Sequence, residues 1–255
     1  MEFRFALAGD PVAHSLSPAM HRAALVEAGL KGGYELFRCD PAGFRSLVDK
    51  LKDGAYSGLN VTMPHKRLAY SLCDGRLTAE AGLANSVNSM KVQDSMIWGH
   101  SSDVVAFRKA IADMGNPKSI TLMGTGGSAR AALAAFDGPV YAWGRSAEKI
   151  ESLKIQFPGR IFPFEDSPPG AALVNCTPLG MKGEPLPAML LEKAGGLIDL
   201  PYGYGETPAV SWANRNGLPV VDGYEFLAVQ AAESFHWWTG VPVALSTMIS
   251  AAKNS

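Results

Sequence analysis

Cysteine is scarce in this chain of 255 residues, which contains only Cys39, Cys73 and Cys176. The three cysteines are far apart in the sequence, and none belongs to a CxxC pair. The sequence therefore predicts neither a disulfide framework nor a zinc site. A reducing compartment suits this cysteine content, so we expect a cytoplasmic protein. No pair of the five histidines has the spacing of metal ligands, and we expect no metal.

Charge is also low, because Asp, Glu, Lys and Arg make up 18% of the residues and the formal net charge is -1. No cluster of Lys and Arg provides the basic surface that a nucleic acid needs. No apolar run reaches the roughly 18 residues of a membrane span, and the first residues, MEFRFALAGDP, lack the apolar segment of a signal peptide. We therefore expect a soluble, intracellular protein whose partners are small molecules.

Short apolar runs alternate with segments of helical periodicity, which is typical of an α/β fold with a mostly parallel sheet. The runs that we interpret as strands are, in order, FRFALAG, YELFRC, YSGLNVT, SVNSMKVQ, MIWGHS, SITLM, PVYAW, ALVNC, GLIDL and LPVVD. Asp94 and Ser95 separate two of these runs and predict a hairpin at the edge of the first sheet. The segment YEFLAVQAAESFHWWTG predicts a long helix that ends at Gly240.

A glycine-rich loop joins the predicted strand SITLM to the helix that follows it. Gly124, Gly126 and Ala129 stand in the register G-x-G-x-x-A. Glycines at these positions allow a tight turn and a close approach of the backbone to a pyrophosphate, which the helix N-terminus then binds. With four further strands after it, this loop predicts a dinucleotide-binding Rossmann domain, although a βα turn without a ligand would have the same pattern.

The strand PVYAW is followed by Arg145, Ser146 and Lys149, with Glu148 the only acid nearby. A site for NAD has a carboxylate at this distance from the glycines, for the ribose 2′-hydroxyl. Two cations and a hydroxyl suit a 2′-phosphate instead. The sequence therefore favours NADP over NAD. The alternative is that these residues are an ordinary solvated helix start.

Lys66 follows a buried strand in the segment NVTMPHK, and Pro64 should end that strand because proline cannot donate to the sheet. On its own, Lys66 is best interpreted as a solvated residue in the first turn of the next helix. Asp103 begins the segment DVVAFRKAIADM, where it is an N-cap or a first-turn acid. These two segments alone leave the roles of both residues open.

Seven polar segments, in this order and spacing, resemble the shikimate dehydrogenase family from Gly9 to about Gly240. They are GDPVAHSLSPAMH, NVTMPHK, ANSVNS, GHSSD, NCTPLGM, DLPYGYGETP and DGYEFLAVQAA. The resemblance implies the NADP-dependent, reversible reduction of 3-dehydroshikimate to shikimate, in the biosynthesis of aromatic amino acids. It also implies two α/β lobes with the active site in a cleft between them. Residues 1–101, completed by helices in 223–255, would bind substrate, and 102–222 would form the Rossmann domain.

The resemblance also implies roles for individual residues. Lys66 and Asp103 would form the catalytic pair, because a hydride that reaches a ketone carbon leaves negative charge on the oxygen. The residues implied to bind substrate are Ser15 and Ser17 at the carboxylate, Tyr202 near it, and Thr62, Asn88 and Gln230 at the ring hydroxyls. The residues implied to bind NADP are Gly124, Gly126, Gly127, Ser128, Ala129, Arg145, Ser146, Lys149, Thr177 and Gly223. The protein would be a monomer or a homodimer.

Simpler interpretations compete with some of these roles. Ser15 and Ser17 could cap a helix, Asn88 could satisfy a strand edge, and Gln230 could be a solvated helix residue. The sequence also departs from the family pattern at Ser101 and Ser102, where the family has Asn and Thr before the catalytic Asp, and at Gly144, where it has Asn. A paralogue acting on quinate or an amino-substituted ring with NAD or NADP, or a non-catalytic binding protein, therefore remains an alternative.

Overall fold

The computed structural model describes residues 2–203 and 205–255, and in it the chain forms two compact units. Unit 1 runs up to Val105 and also contains Leu227–Ser255, and unit 2 is Ala106–Phe226. The boundaries predicted from the sequence, after residues 101 and 222, each lie four residues earlier. Each unit is built around its own sheet, and the predicted α/β class is confirmed.

The sheet of unit 1 has five strands in the order β2-β1-β3-β4-β5. Their bounds are β1 (Phe3–Gly9), β2 (Gly32–Arg38), β3 (Gly58–Val61), β4 (Ser89–Gln93) and β5 (Met96–His100). β1 pairs in parallel with β2 and β3, while β3, β4 and β5 are antiparallel. Asp94 and Ser95 have φ values of 52° and 59°, as the two central residues of a tight hairpin turn require. The predicted hairpin is therefore confirmed, with β5 at the edge.

The first four helices, α1 (Ser17–Glu27), α2 (Pro41–Lys52), α3 (Lys66–Leu72) and α4 (Ala79–Ala84), lie wholly in unit 1. α2 shows how the sequence produces them. Asp40 caps it by accepting a hydrogen bond from the N–H of Gly43 at 2.8 Å. Its buried side chains recur at helical spacing and pack into the core against β1 and β3. These side chains are Phe44, Leu47, Val48 and Leu51.

Unit 2 contains a six-stranded parallel sheet in the order β11-β10-β9-β6-β7-β8, which is the strand order of a Rossmann fold. Its strands are β6 (Ile120–Met123), β7 (Val140–Trp143), β8 (Ile161–Pro163), β9 (Ala171–Asn175), β10 (Ala194–Asp199) and β11 (Val220–Val221). The sequence did not predict β8. This strand has three residues, lies at the sheet edge and contains Pro163, which argues against a strand when only the sequence is known.

The remaining helices belong to unit 2, cross its boundary or, in the case of α11, lie in unit 1. They are α5 (Ser102–Asp113), α6 (Gly127–Ala135), α7 (Ala147–Gln156), α8 (Ala188–Leu191), α9 (Pro208–Arg215), α10 (Gly223–Thr239) and α11 (Leu245–Lys253), with a 3-10 turn at Phe164–Asp166. The chain passes between the two units within α5 and α10, and α11 packs on α1 in unit 1. Across the described residues, no helix combines the length and the apolar character needed to cross a membrane.

Candidate active site

Lys66 is the first residue of α3, directly after a turn that leaves β3. The buried ring of His65 holds this turn, because it stacks on Phe44 with the ring centroids 5.0 Å apart and its Nε2 lies 2.8 Å from the carbonyl oxygen of Cys39. The side chain of Lys66 is only 14% exposed. It is therefore not the solvated helix residue that its sequence position alone suggested.

The ammonium of Lys66 donates a hydrogen bond to Oδ2 of Asp103 at 2.5 Å. Asp103 lies in the first turn of α5, where the helix dipole favours a negative charge, and its side chain is 7% exposed. Both charges have largely been removed from water, so each depends on the other for compensation. Such a pair can present a proton to an oxygen atom that becomes negatively charged.

Asn88 holds the other oxygen of this carboxylate. Its Nδ2 donates to Oδ1 of Asp103 at 2.9 Å and to Oγ of Ser102 at 2.8 Å, and its Oδ1 accepts from the backbone N–H of Ser102 at 2.8 Å. Gln230 from α10 is also buried, and its Oε1 lies 3.4 Å from Asn88 Nδ2. The structure thus brings four of the predicted site residues, Lys66, Asn88, Asp103 and Gln230, into one cluster within unit 1. It excludes the solvated interpretation of Gln230.

A group of buried hydroxyls behind this cluster was missed in the sequence. Ser234 of α10 is fully buried, and its Oγ lies 2.9 Å from Oγ of Ser102 and 2.7 Å from Oγ of Ser89. One signal could have indicated it: Gln230 and Ser234 are polar residues four apart in an apolar helix, so they share one face. Ser102 stands where the family has Thr, so a hydroxyl is retained at this position. That hydroxyl contacts Asn88 and Ser234.

Three further residues predicted to bind substrate also lie in unit 1: Ser15 and Ser17 for the carboxylate and Thr62 for a ring hydroxyl. Ser17 begins α1 and is buried, and its Oγ accepts a hydrogen bond from Oγ of Ser15 at 3.1 Å. Ser15 also accepts from the N–H of Ser17, the first residue of α1, at 3.2 Å, which keeps its interpretation as a helix cap open. Thr62 follows β3 and packs against Gly9, where an added Cβ would approach Thr62 Cγ2 to 2.2 Å. Gly9 ends β1 and Thr62 follows β3, so Thr62 lies at the carboxyl ends of these two parallel strands.

The glycine loop of unit 2 has the geometry expected for a dinucleotide. Gly124 follows β6 with a φ of 113°, and a Cβ there would lie 3.1 Å from Cγ2 of Thr177. Gly126 is the N-cap of α6, has no side-chain cap and has open space around it. Ala129 is fully buried, which allows α6 to pack close to the sheet. Gly127 and Ser128 are the first two residues of the helix, at its positive end.

The cationic residues predicted for a 2′-phosphate stand at the end of β7. Ser146 is the N-cap of α7 and accepts from the N–H of Lys149 at 3.4 Å. Arg145 and Lys149 are exposed, and within residues 2–203 and 205–255 neither forms an ion pair. Both charges are therefore available to an anion. Gly144 has room for a Cβ, with Cγ2 of Thr125 the nearest atom at 3.6 Å.

A buried polar cluster fixes the loop that carries Thr177. Asn175 accepts from the N–H and the Oγ1 of Thr177 at 3.0 and 2.7 Å, and donates to Asp199 Oδ1 at 2.8 Å. Oδ2 of Asp199 accepts from Oγ1 of Thr207 at 2.5 Å. Burial raises the pKa of Asp199, which these hydrogen bonds only partly oppose.

Tyr202 and Gly223 also belong to unit 2. The Tyr202 ring lies 6.2 Å from that of Tyr224, and both follow β10 in the chain. A Cβ at Gly223 would lie 2.4 Å from the carbonyl oxygen of Pro201, so this glycine allows α10 to begin against the loop after β10. The role of Gly223 in binding NADP stays a prediction, as does the role of Tyr202 near the substrate carboxylate.

Several curated proteins that are similar to this chain are named shikimate dehydrogenase (NADP(+)). Residues 7–90 match the model of the shikimate dehydrogenase substrate binding domain. A curated protein of Thermus thermophilus, named shikimate dehydrogenase (NADP(+)), is 35% identical over 262 residues, covering 99% of this chain and 98% of its own.

Two solved structures are similar over nearly the whole chain. One is shikimate 5-dehydrogenase from Thermus thermophilus in complex with NADP(H) and shikimate, at 34% identity and a TM-score of 0.86, with 99% of each chain covered. The other is shikimate 5-dehydrogenase from Listeria monocytogenes in complex with shikimate and NAD, at 25% identity and a TM-score of 0.81, with 97% of this chain and 95% of that chain covered.

Proposed function

The chain belongs to the shikimate dehydrogenase family, and from that premise we propose that it catalyses the reversible, NADP-dependent reduction of 3-dehydroshikimate to shikimate. The observation that carries the proposal is the desolvated pair of Lys66 and Asp103. Its geometry suits the reduction of a ketone, because a proton must reach the oxygen when the carbon accepts a hydride.

In the proposed reaction Lys66 holds a proton on Nζ and donates it to the ketone oxygen as the C=O bond is reduced to an alcohol. Asp103 keeps the ammonium in place and compensates its charge, and Asn88 keeps the carboxylate in place. In the oxidation of shikimate the direction is reversed, and the neutral amine of Lys66 accepts the hydroxyl proton. NADPH, when bound, supplies the hydride.

The residues of unit 2 fit such a cofactor. The left-handed conformation at Gly124 and the uncapped start of α6 leave room and N–H donors for a pyrophosphate. The exposed charges of Arg145 and Lys149 suit a 2′-phosphate. Ser146 and Thr177 are the remaining side chains that we assign to the cofactor.

We assign the substrate to unit 1, where Ser15 and Ser17 bind the carboxylate and Thr62, Asn88 and Gln230 the ring hydroxyls. The match of residues 7–90 to a substrate binding domain supports this assignment. We also propose a cytoplasmic monomer or homodimer. The three cysteines, Cys39, Cys73 and Cys176, are free thiols, as a reducing compartment would keep them.

The test is an absorbance assay at the nicotinamide band, with shikimate and quinate each combined with NADP and NAD. Shikimate with NADP should have the highest kcat/KM, and Lys66→Ala should abolish most of this activity. NAD belongs in the assay because the similar Listeria enzyme was solved with it. A preference for quinate, or turnover by Lys66→Ala at the parent rate, would contradict the proposal.

A further inference from the structure

The buried serine of α10, Ser234, has four polar neighbours. Its Oγ lies 2.7 Å from Oγ of Ser89, 2.9 Å from Oγ of Ser102, 3.0 Å from Nδ2 of Asn60 and 2.9 Å from the carbonyl oxygen of Gln230. These partners belong to β3, β4, α5 and α10. One hydroxyl thus connects four elements directly behind the Lys66 and Asp103 pair.

The hydrogen-bond directions around this serine follow from its neighbours. Asn60 uses its oxygen to accept from the hydroxyl of Tyr34 at 2.8 Å, so its Nδ2 faces Ser234 as a donor. Ser102 Oγ accepts from Nδ2 of Asn88, whose orientation is set by the backbone N–H of Ser102. The proton of the Ser102 hydroxyl is therefore directed away from Asn88, and Ser234 is its nearest acceptor.

This arrangement connects Ser234 to the catalytic pair by a chain of oriented contacts. Ser234 orients the hydroxyl of Ser102, Ser102 holds Asn88, and Asn88 donates to Asp103, which holds Lys66. Without Ser234, the Ser102 hydroxyl would turn to Oε1 of Gln230, its other acceptor at 3.4 Å. That rotation would change the hydrogen bonds of both Asn88 and Gln230.

We propose that Ser234 is a positioning residue that sets the geometry of the Lys66 and Asp103 pair through Ser102 and Asn88. The inference deepens the proposed function and rests on it for the kinetic readout. It assigns to α10 a role in catalysis that is distinct from the contact of Gln230 with the substrate.

The experiment compares Ser234→Ala with a matched control, Ser167→Ala. Ser167 is also buried and shares a hydrogen bond of 2.8 Å with Thr121, but it lies in unit 2. Each variant loses one buried hydroxyl. We expect Ser234→Ala to lower kcat about 5- to 10-fold, which is the equivalent of one neutral hydrogen bond, and to shift the pH profile of kcat. Ser167→Ala should change neither kcat nor its pH profile.

Combination with Ser102→Ala tests the connection itself. Residues that act through one another give losses that do not multiply, so the double variant Ser102→Ala/Ser234→Ala should be no slower than Ser102→Ala within about twofold. Losses in kcat that multiply would overturn the inference. So would a kcat of Ser234→Ala within about twofold of the Ser167→Ala control.

A second measurement does not depend on turnover. The rate at which an amine-acylating reagent modifies Lys66, measured by peptide mass spectrometry, reports how firmly Asp103 holds the ammonium. We expect this rate to rise several-fold in Ser234→Ala and to be unchanged in Ser167→Ala. Equal rates in the two variants would overturn the inference. A parent enzyme without activity on shikimate would contradict the proposed function, and the acylation rates would then decide the inference alone.

Discussion

In unit 1 the side chains proposed for catalysis are buried and bonded to one another, whereas in unit 2 the cationic side chains proposed to bind NADP lie exposed at the start of a helix. Lys66 is 14% and Asp103 7% exposed at the side chain, and each has a charged partner. Arg145 and Lys149 form no ion pair within the described residues. The glycine loop of the same unit takes its shape from the backbone, with a positive φ at Gly124.

This difference indicates where a substitution should cost most. Removing one member of a buried pair leaves an uncompensated charge in the interior, so the loss should be large and should affect stability as well as turnover. Removing an exposed cation takes away one contact with the ligand and leaves the fold intact. Four predictions test this contrast, from the largest expected effect to the smallest.

The largest effect should come from the catalytic pair. Lys66→Ala should lower kcat by about 10²- to 10⁴-fold, as for the loss of a positioned general acid, with little change in the KM for shikimate. Asp103→Asn should also be severe, and the losses of the double variant should not multiply. Steady-state kinetics will measure kcat and KM of the three variants. Circular dichroism will first check that each variant is folded. A Lys66→Ala enzyme within about threefold of the parent kcat would remove the basis of the assignment.

His21 should determine an acid sensitivity of unit 1. Its ring is fully buried and stacked on Tyr34 at 4.5 Å, and burial lowers its pKa to about 3. The unfolded chain binds a proton near the ordinary value of 6.5 and the folded chain does not, so stability should fall as the pH drops from about 6.5 towards 3. The full loss is about 5 kcal/mol.

His21→Phe should remove this dependence, which urea unfolding between about pH 3 and pH 7 will measure. His236 is exposed, and His236→Gln is the matched control, whose pH dependence should follow the parent. An identical acid dependence in the parent and in His21→Phe would show that another group is responsible.

Arg145 should affect the cofactor and not the substrate. Its loss should remove one charge-assisted contact of about 1.5 to 3 kcal/mol and raise the KM for NADP by roughly 10- to 150-fold, while NAD use barely changes. Lys154, on the helix α7 that follows Arg145 but paired with Glu151, gives the control variant Lys154→Ala, which should change neither KM. Equal losses for NADP and NAD would contradict the assignment.

Ser15 should give the smallest effect. A neutral hydroxyl that holds the substrate carboxylate in the ground state and the transition state alike contributes to binding only, so Ser15→Ala should raise the KM for shikimate about 5- to 20-fold at constant kcat. Kinetics with shikimate as the varied substrate will show this. If kcat falls alone, Ser15 takes part in chemistry and the binding role is wrong.

The elements that the sequence predicted are those with a local signal. The hairpin at Asp94 and Ser95 needs two left-handed residues, and the sequence offers a turn pair between two apolar runs. The turn between β6 and α6 requires a positive φ at position 124, and glycine is the residue that adopts it most readily. The G-x-G-x-x-A register in the sequence therefore indicates this turn. The short strand β8 escaped prediction because its three residues, one of them Pro163, take their strand character from pairing with β7.

The sequence by itself therefore determined the order of all strands except β8, the glycine loop between β6 and α6 and, through a family resemblance, the candidate residues, because each of these depends on a short pattern. Only the tertiary structure decided that Lys66 is desolvated against Asp103 and that Ser234 lies behind them. Burial and partners depend on contacts between distant segments: the bond from Asn60 to Ser234 spans 174 positions in the chain. No local pattern encodes such a contact, because the free energy that selects it comes from packing the whole unit.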